Sequence, residues 1–166
     1  MKLSLRKGEC EDSSGDCTSF PENYFEKIES VLEKELLKIY PDSKNFESVE
    51  ISISFVSPER IRELNKLYRD VDESTDVLSF PLLDENIPVE VPELPVLALG
   101  DIVICPPEVL RLHSELNERE GILLMIAHSF LHLLGYDHDT QEKQDDMWAK
   151  QEAIKNSLLK KFQEAE

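Results

Sequence analysis

Basic residues are scarce in this chain: 18 Lys and Arg stand against 35 Asp and Glu, leaving a formal net charge of −17. Affinity for phosphate backbones comes from Lys and Arg contacts, so this composition excludes a protein that holds nucleic acid by bulk charge. It leaves room for a locally basic cleft, because net charge governs solubility and non-specific binding more than one site. Cysteine is scarce too. Cys10, Cys17 and Cys105 are odd in number and form no CxxC pair, which suits a reducing compartment and gives no zinc-thiolate site. No run approaches the ~18 apolar residues of a membrane span, and Met1 to Lys7 lacks the apolar stretch of a secretory signal. A cytoplasmic protein is expected. Internal repeats and heptads are missing as well, and nothing in the pattern demands an oligomer. With 166 residues, 40% of them hydrophobic, the expectation is one domain over 1–166 with a sizeable core, residues 1–20 being poorly assigned.

Histidine, in contrast, is concentrated. His128, His132 and His138, three of the four in the chain, fall within HSFLHLLGYDH. Ile122 to Leu134 is apolar, lacks Gly and Pro, and reads as a buried helix on which residues i and i+4 share a face. Gly135 supplies the residue that best tolerates the left-handed conformation ending a helix, so the chain can turn and bring His138 back. Three neutral imidazoles at about 2.0–2.1 Å, with a fourth position left to water, is the open arrangement of catalytic zinc. Imidazole also suits nickel, copper and iron. His113 lies in a polar stretch with Arg111, Ser114 and Glu115 and reads as a solvated surface residue without a role.

The same spacing matches the extended zinc signature of the metzincin peptidases, but one residue is missing. Their first histidine is followed by a glutamate acting as general base; here Ser129 stands in that place. A hydroxyl of ordinary pKa cannot take a proton as a carboxylate does, which counts against a protease. It does not count against hydrolysis, since zinc alone can bring the pKa of a water ligand to about 7.

The scaffold reads as mixed. Lys2 to Arg6 is a candidate edge strand, and Tyr24 to Tyr40 a helix with Tyr24, Ile28 and Leu36 at helical spacing. Val49, Ile51, Ile53 and Phe55 alternate with polar residues as a half-buried strand. Ser57 before Pro58 is a helix start, with Ile61 and Leu64 in the apolar stripe. Thr75 to Phe80 reads as a strand stopped by Pro81, and Pro88, Pro92 and Pro95 mark a long acidic connection, either surface or a substrate flap. Val96 to Cys105 is the next strand, followed by a short helix. Asn117 and Glu120 form a capping box for the histidine helix. Gln141 to Phe162 is a terminal packing helix. Irregular alternation of this kind predicts an α+β fold, a small mixed sheet with helices packed on it.

AHSFLHLLGYDHD closely resembles the signature of the YbeY family, bacterial metal-dependent endoribonucleases of ribosomal RNA maturation, whose usual form is HGxLHLxGYDH. Two further blocks agree: Asn65 to Arg69 running into Ser74-Thr75-Asp76-Val77-Leu78-Ser79-Phe80-Pro81, and Leu99 to Cys105. The resemblance covers about residues 50–155. Ser129 stands where the family commonly has glycine, and Ser74 where it has proline. The resemblance implies a four-stranded mixed sheet with five or six helices and a metzincin-like three-histidine site. It implies a zinc-dependent, single-strand-specific endoribonuclease acting in 16S rRNA 3′-end maturation and ribosome quality control. The partners implied are single-stranded rRNA, the small ribosomal subunit and its assembly factors, with neither DNA nor membrane.

On this reading His128, His132 and His138 bind one zinc ion, and the match to the functional arginine of the family makes Arg69 the cation for developing phosphate charge. Its alternative is an ion pair to Asp70 or Asp72. Arg60, Arg62 and Lys66 read equally as a solvated face paired with Glu59 or Glu63. Asp137 and Asp139 are candidates to orient an imidazole, relay a proton or cap a helix. Thr75 and Asp76 are candidates for holding the cleft wall, Asp101 for a strand end near the metal, and Ser79 and Ser129 for hydroxyls near phosphate. Two other classes remain: a metal-dependent peptidase or amidase with an unconventional base, and a non-catalytic ribosome-assembly factor with a structural zinc.

Overall fold

The structure is a computed structural model and describes residues 1–10, 22–83 and 96–164. Cys17 and the proline-containing acidic connection lie outside the described residues. Among the described residues four strands form the sheet: β1 (Lys2–Cys10), β2 (Ser48–Phe55), β3 (Val77–Pro81) and β4 (Val96–Ile104), in spatial order β1-β2-β4-β3. β1 pairs with β2, and β2 with β4, in parallel, and β3 runs antiparallel to β4. The sheet is therefore mixed and four-stranded, as the resemblance implied.

Burial alternates residue by residue along β2, with Val49, Ile51, Ile53 and Phe55 on the inner side. In β4 that alternation breaks. Glu50 pairs with Ala98 but Ile51 with Gly100, so Leu99 is an extra residue in a β-bulge. The bulge changes parity. Leu97 and Leu99 before it, and Ile102 and Ile104 after it, all pack into the same core, while Val103 joins a separate small cluster. Gly100 sits at φ 144°, and a Cβ there would lie 2.3 Å from the Phe80 carbonyl oxygen, so only glycine fits.

Among the described residues five α-helices surround the sheet: α1 (Glu22–Ile39), α2 (Pro58–Arg69), α3 (Pro106–Leu112), α4 (Glu118–Leu133) and α5 (Gln141–Gln163). A short 3₁₀ turn, Pro41–Asn45, leads into β2. Side chains from α1, α4 and α5 build the large core with β1, β2 and β4. Ile61 of α2 belongs to the smaller cluster with Val56, Leu78, Val103 and Cys105. α4 is buried along most of its length, from Gly121 through Leu133. Asn117 caps it by accepting from the Glu120 N–H at 2.9 Å, and the Glu120 carboxylate accepts in return from the Asn117 side chain at 3.0 Å. Ser57 caps α2 in the same way through the Arg60 N–H.

Candidate metal centre and cleft

The end of α4 carries the site. His128 and His132 project from the same side of the helix, with Nε2 atoms 3.1 Å apart. The helix stops at Leu133, Gly135 takes φ 93°, and the turn delivers His138. Asp137 Oδ1 accepts from the His138 N–H at 2.7 Å and fixes that turn. One ligand nitrogen from each of the three imidazoles lies within 4.8 Å of the others, so the group could hold a metal ion.

Hydrogen bonds on the far side of two rings decide which nitrogens face inward. His132 Nδ1 donates to the Tyr136 carbonyl at 2.9 Å, and His128 Nδ1 donates to Gln151 Oε1 of α5 at 2.8 Å. A neutral imidazole donating through Nδ1 keeps a lone pair on Nε2. Two such lone pairs turned toward each other at 3.1 Å repel unless a cation lies between them. Tetrahedral zinc, with nitrogens about 2.0–2.1 Å away, sets its ligands about 3.3–3.4 Å apart, so the pair is close to that geometry. His138 lies in an exposed turn and can close the remaining distance. Burial pushes the His128 imidazole below the ordinary histidine range, although the Gln151 bond offsets part of this. For His132, burial acts first and the neighbouring His128 adds to it. Both effects keep the rings neutral, the form that binds metal.

The histidines open onto a cleft of about 480 Å³ shared with Arg69, Val77, Ser79, Pro81, Gly135, Tyr136 and Asp137. Arg69 is the last residue of α2, and the local sequence explains how it gets there. Asp70 adopts the left-handed conformation that ends the helix, with φ 57°. Asn65 donates to the Glu73 carbonyl at 2.9 Å and ties down the loop that follows. Tyr68 packs edge-on against Phe80 at 5.2 Å, holding the helix end on β3. Arg69 Nη2 then reaches the Ser79 carbonyl at 3.5 Å. Among the described residues Arg69 forms no ion pair with Asp70 or Asp72. Asp72 pairs with Arg62 at 2.8 Å on the solvated face, while Arg60 pairs with Glu63 and lies half-buried in a separate groove.

Several expected placements differ. Asp101 is not near the histidines; it lines a separate groove with Ser52, Ser54 and Tyr68, because the β4 bulge flips it to the α2 side of the sheet. His113 is not merely solvated: its Nε2 lies 2.9 Å from Asp76 Oδ2. Asp76 also accepts from the Thr75 hydroxyl and from the Val77 N–H, so that pair does hold the start of β3. Ser129 is fully buried, its hydroxyl has no hydrogen-bond partner among the described residues, and it does not line the cleft. Asp139 pairs with Lys143 on the surface. Cys105 is buried, and burial pushes its thiol up to about 11, which removes it as a nucleophile near neutral pH. By sequence Gln151 falls on the packing side of the terminal helix and the Tyr136 carbonyl carries no side-chain signal; the structure makes both of them partners of the helical histidines.

Comparison with known proteins identifies the family. Residues 10–159 match the family described as Endoribonuclease YbeY. An Endoribonuclease YbeY of Clostridioides difficile is 43% identical over 150 residues, spanning 89% of this chain and 94% of that protein. One from Staphylococcus saprophyticus is 36% identical over 151 residues, spanning 88% and 94%. A solution structure of a Thermotoga maritima protein superposes with a TM-score of 0.54 at 25% identity, covering 98% of this chain and 93% of that one. With the family model matching most of the chain and relatives this similar, the chain belongs to the YbeY family.

Proposed function

We propose that the chain is a zinc-dependent, single-strand-specific endoribonuclease acting in 16S rRNA 3′-end maturation and ribosome quality control in the cytoplasm. One observation carries the reading: three imidazoles converge beside Arg69 in one cleft. The endoribonuclease name borne by the relatives supports it. The whole of residues 1–166 is taken as one domain, with both hydrophobic clusters built on the same sheet.

His128, His132 and His138 would hold a zinc ion, which would supply a Lewis acid for a phosphate oxygen and lower the pKa of water at the site. Gln151 and the Tyr136 carbonyl keep the two helical imidazoles in the tautomer that presents Nε2. Arg69 grips two phosphate oxygens with its planar fork and offsets the charge that develops on them. Ser129, buried away from the cleft, takes no part, so the site lacks the carboxylate base of the peptidases. With a net charge of −17 and few cations at the cleft, free RNA binds weakly, and the small ribosomal subunit with its assembly factors supplies the rest of the recognition.

The test offers purified protein single-stranded RNA, duplex RNA and unstructured peptides, each with and without chelator. The expected result is chelator-sensitive cleavage of single-stranded RNA alone. Arg69→Ala should lower kcat about 10²- to 10³-fold, with Arg69→Lys rescuing only part. Peptide hydrolysis with the RNA left intact contradicts the proposal.

A further inference from the structure

Edge strands expose a row of unpaired main-chain groups, and the two edges of this sheet are treated differently. On β1 the outward N–H groups of Leu3 and Leu5 donate to Glu33 Oε2 at 3.0 Å and Glu29 Oε1 at 2.8 Å, both on α1. That edge is closed by a helix. On β3 the outward set follows from the ladder. The Cys105 N–H donates to the Asp76 carbonyl and the Leu82 N–H to the Leu99 carbonyl, both at 2.9 Å. Bonded positions recur at every second residue of an antiparallel pair, so Leu78 and Phe80 turn their main chain to β4. Val77, Ser79 and Pro81 turn theirs outward, and these three are the β3 residues lining the histidine cleft.

Two of the three are closed as donors. The Val77 N–H donates to Asp76 Oδ1 at 2.8 Å, and Pro81 has no N–H. Ser79 remains. Its carbonyl is approached by Arg69 Nη2 at 3.5 Å, and among the described residues nothing accepts from its outward N–H. Ser79 is only 9% exposed and lines the cleft, so its outward N–H and carbonyl are presented to the space a substrate would enter. An extended peptide is the wrong occupant, because strand addition needs donors and acceptors repeating along the edge, and this edge offers one N–H. A planar group with one acceptor beside one donor is the right one. The Watson–Crick edge of every nucleobase carries that pair: N1 and N6–H in adenine, N3 and N4–H in cytosine, O6 and N1–H in guanine, O4 and N3–H in uracil.

Resting on the endoribonuclease reading, we infer that the main-chain N–H and C=O of Ser79 hold the Watson–Crick edge of one nucleotide beside the cleaved phosphate. The cleft then accepts any base, provided that base is unpaired, and selectivity for single strands resides in the backbone of β3.

Oligouridine substrates carrying one N3-methyluridine, walked through each position, test this on the wild-type protein. At one position near the cut, N3 methylation should lower kcat/KM about tenfold or more, while C5-methyluridine there has no effect. Ser79→Ala keeps the N–H and should still discriminate. Ser79→Pro, at an outward edge position that tolerates proline, loses the N–H that meets O4 and keeps the carbonyl that meets N3–H, so it should cut the unmodified strand about tenfold less well while N3 methylation still matters. Should Ser79→Pro not fold, the wild-type series decides alone. Cleavage indifferent to N3 methylation at every position, or an unmodified strand cut by Ser79→Pro as well as by the wild type, overturns the inference and leaves the endoribonuclease reading standing. Failure to cut any unmodified RNA overturns that reading as well.

Discussion

Gln151 decides which nitrogen of His128 faces the cleft, through a single bond of 2.8 Å. Gln151→Leu is therefore expected to weaken metal binding about 10- to 100-fold, as loss of an outer partner usually does, while Gln151→Glu, which keeps an acceptor, retains it. Competition with a chromophoric chelator measures both, and equal affinity in Gln151→Leu contradicts the assignment. Burial of His128 and His132 has a second consequence. Both titrate below the ordinary range in the folded protein and near about 6.5 in the unfolded chain. In the metal-free protein the unfolded state therefore takes up protons first as pH falls, and stability is lost from about pH 6.5 down through the folded pKa values. Thermal melts between about pH 8 and pH 5 should show the wild type losing Tm relative to a His128→Asn, His132→Asn double variant; a constant difference contradicts this. At this scale the three ligand candidates were legible because i, i+4 spacing and a helix-stopping glycine are local signals. Gln151, and the Asp76 partner of His113, were not, since each lies more than twenty residues from the histidine it touches.

Helix ends and one bulge position everything at the cleft. Gly135 and Gly100 make different demands, and their substitutions separate them. At Gly135, φ is 93° and an added Cβ meets nothing within 4 Å, so Gly135→Ala costs backbone strain alone, about 1–2 kcal/mol. At Gly100, φ is 144° and the Cβ would strike both the Phe80 carbonyl and Leu133, so Gly100→Ala should cost about 3 kcal/mol or more. Denaturant unfolding of the two variants checks the order, and equal losses contradict it. Caps were readable in advance: Ser57 and Asn117 each accept from the third residue onward, as their positions before an apolar stripe suggested. The bulge was not. Apolar residues fill Leu97, Leu99, Ile102 and Ile104, and no pattern of hydrophobicity reveals that an extra residue lies between them; unbroken alternation puts Asp101 on the histidine side, which is where the sequence reading had it.

Over the whole molecule, the α+β class followed from alternating and helical periods along the chain, and the YbeY resemblance carried the strand and helix numbers. The order β1-β2-β4-β3 depends on pairings between segments far apart in sequence, which neither period encodes. Charge also acts at this scale. An excess of acidic residues keeps non-specific nucleic acid away, and what remains for substrate is a small cleft with Arg69 and three histidines. The account depends on one ion held by those histidines. Its most direct test is elemental analysis of the purified protein, with RNA cleavage measured on the same samples before metal removal, after it, and after stoichiometric return of zinc. The account predicts about one divalent transition metal per chain, cleavage lost and regained with the ion, and neither property in His132→Ala. A metal-free preparation that cleaves RNA at the full rate contradicts it.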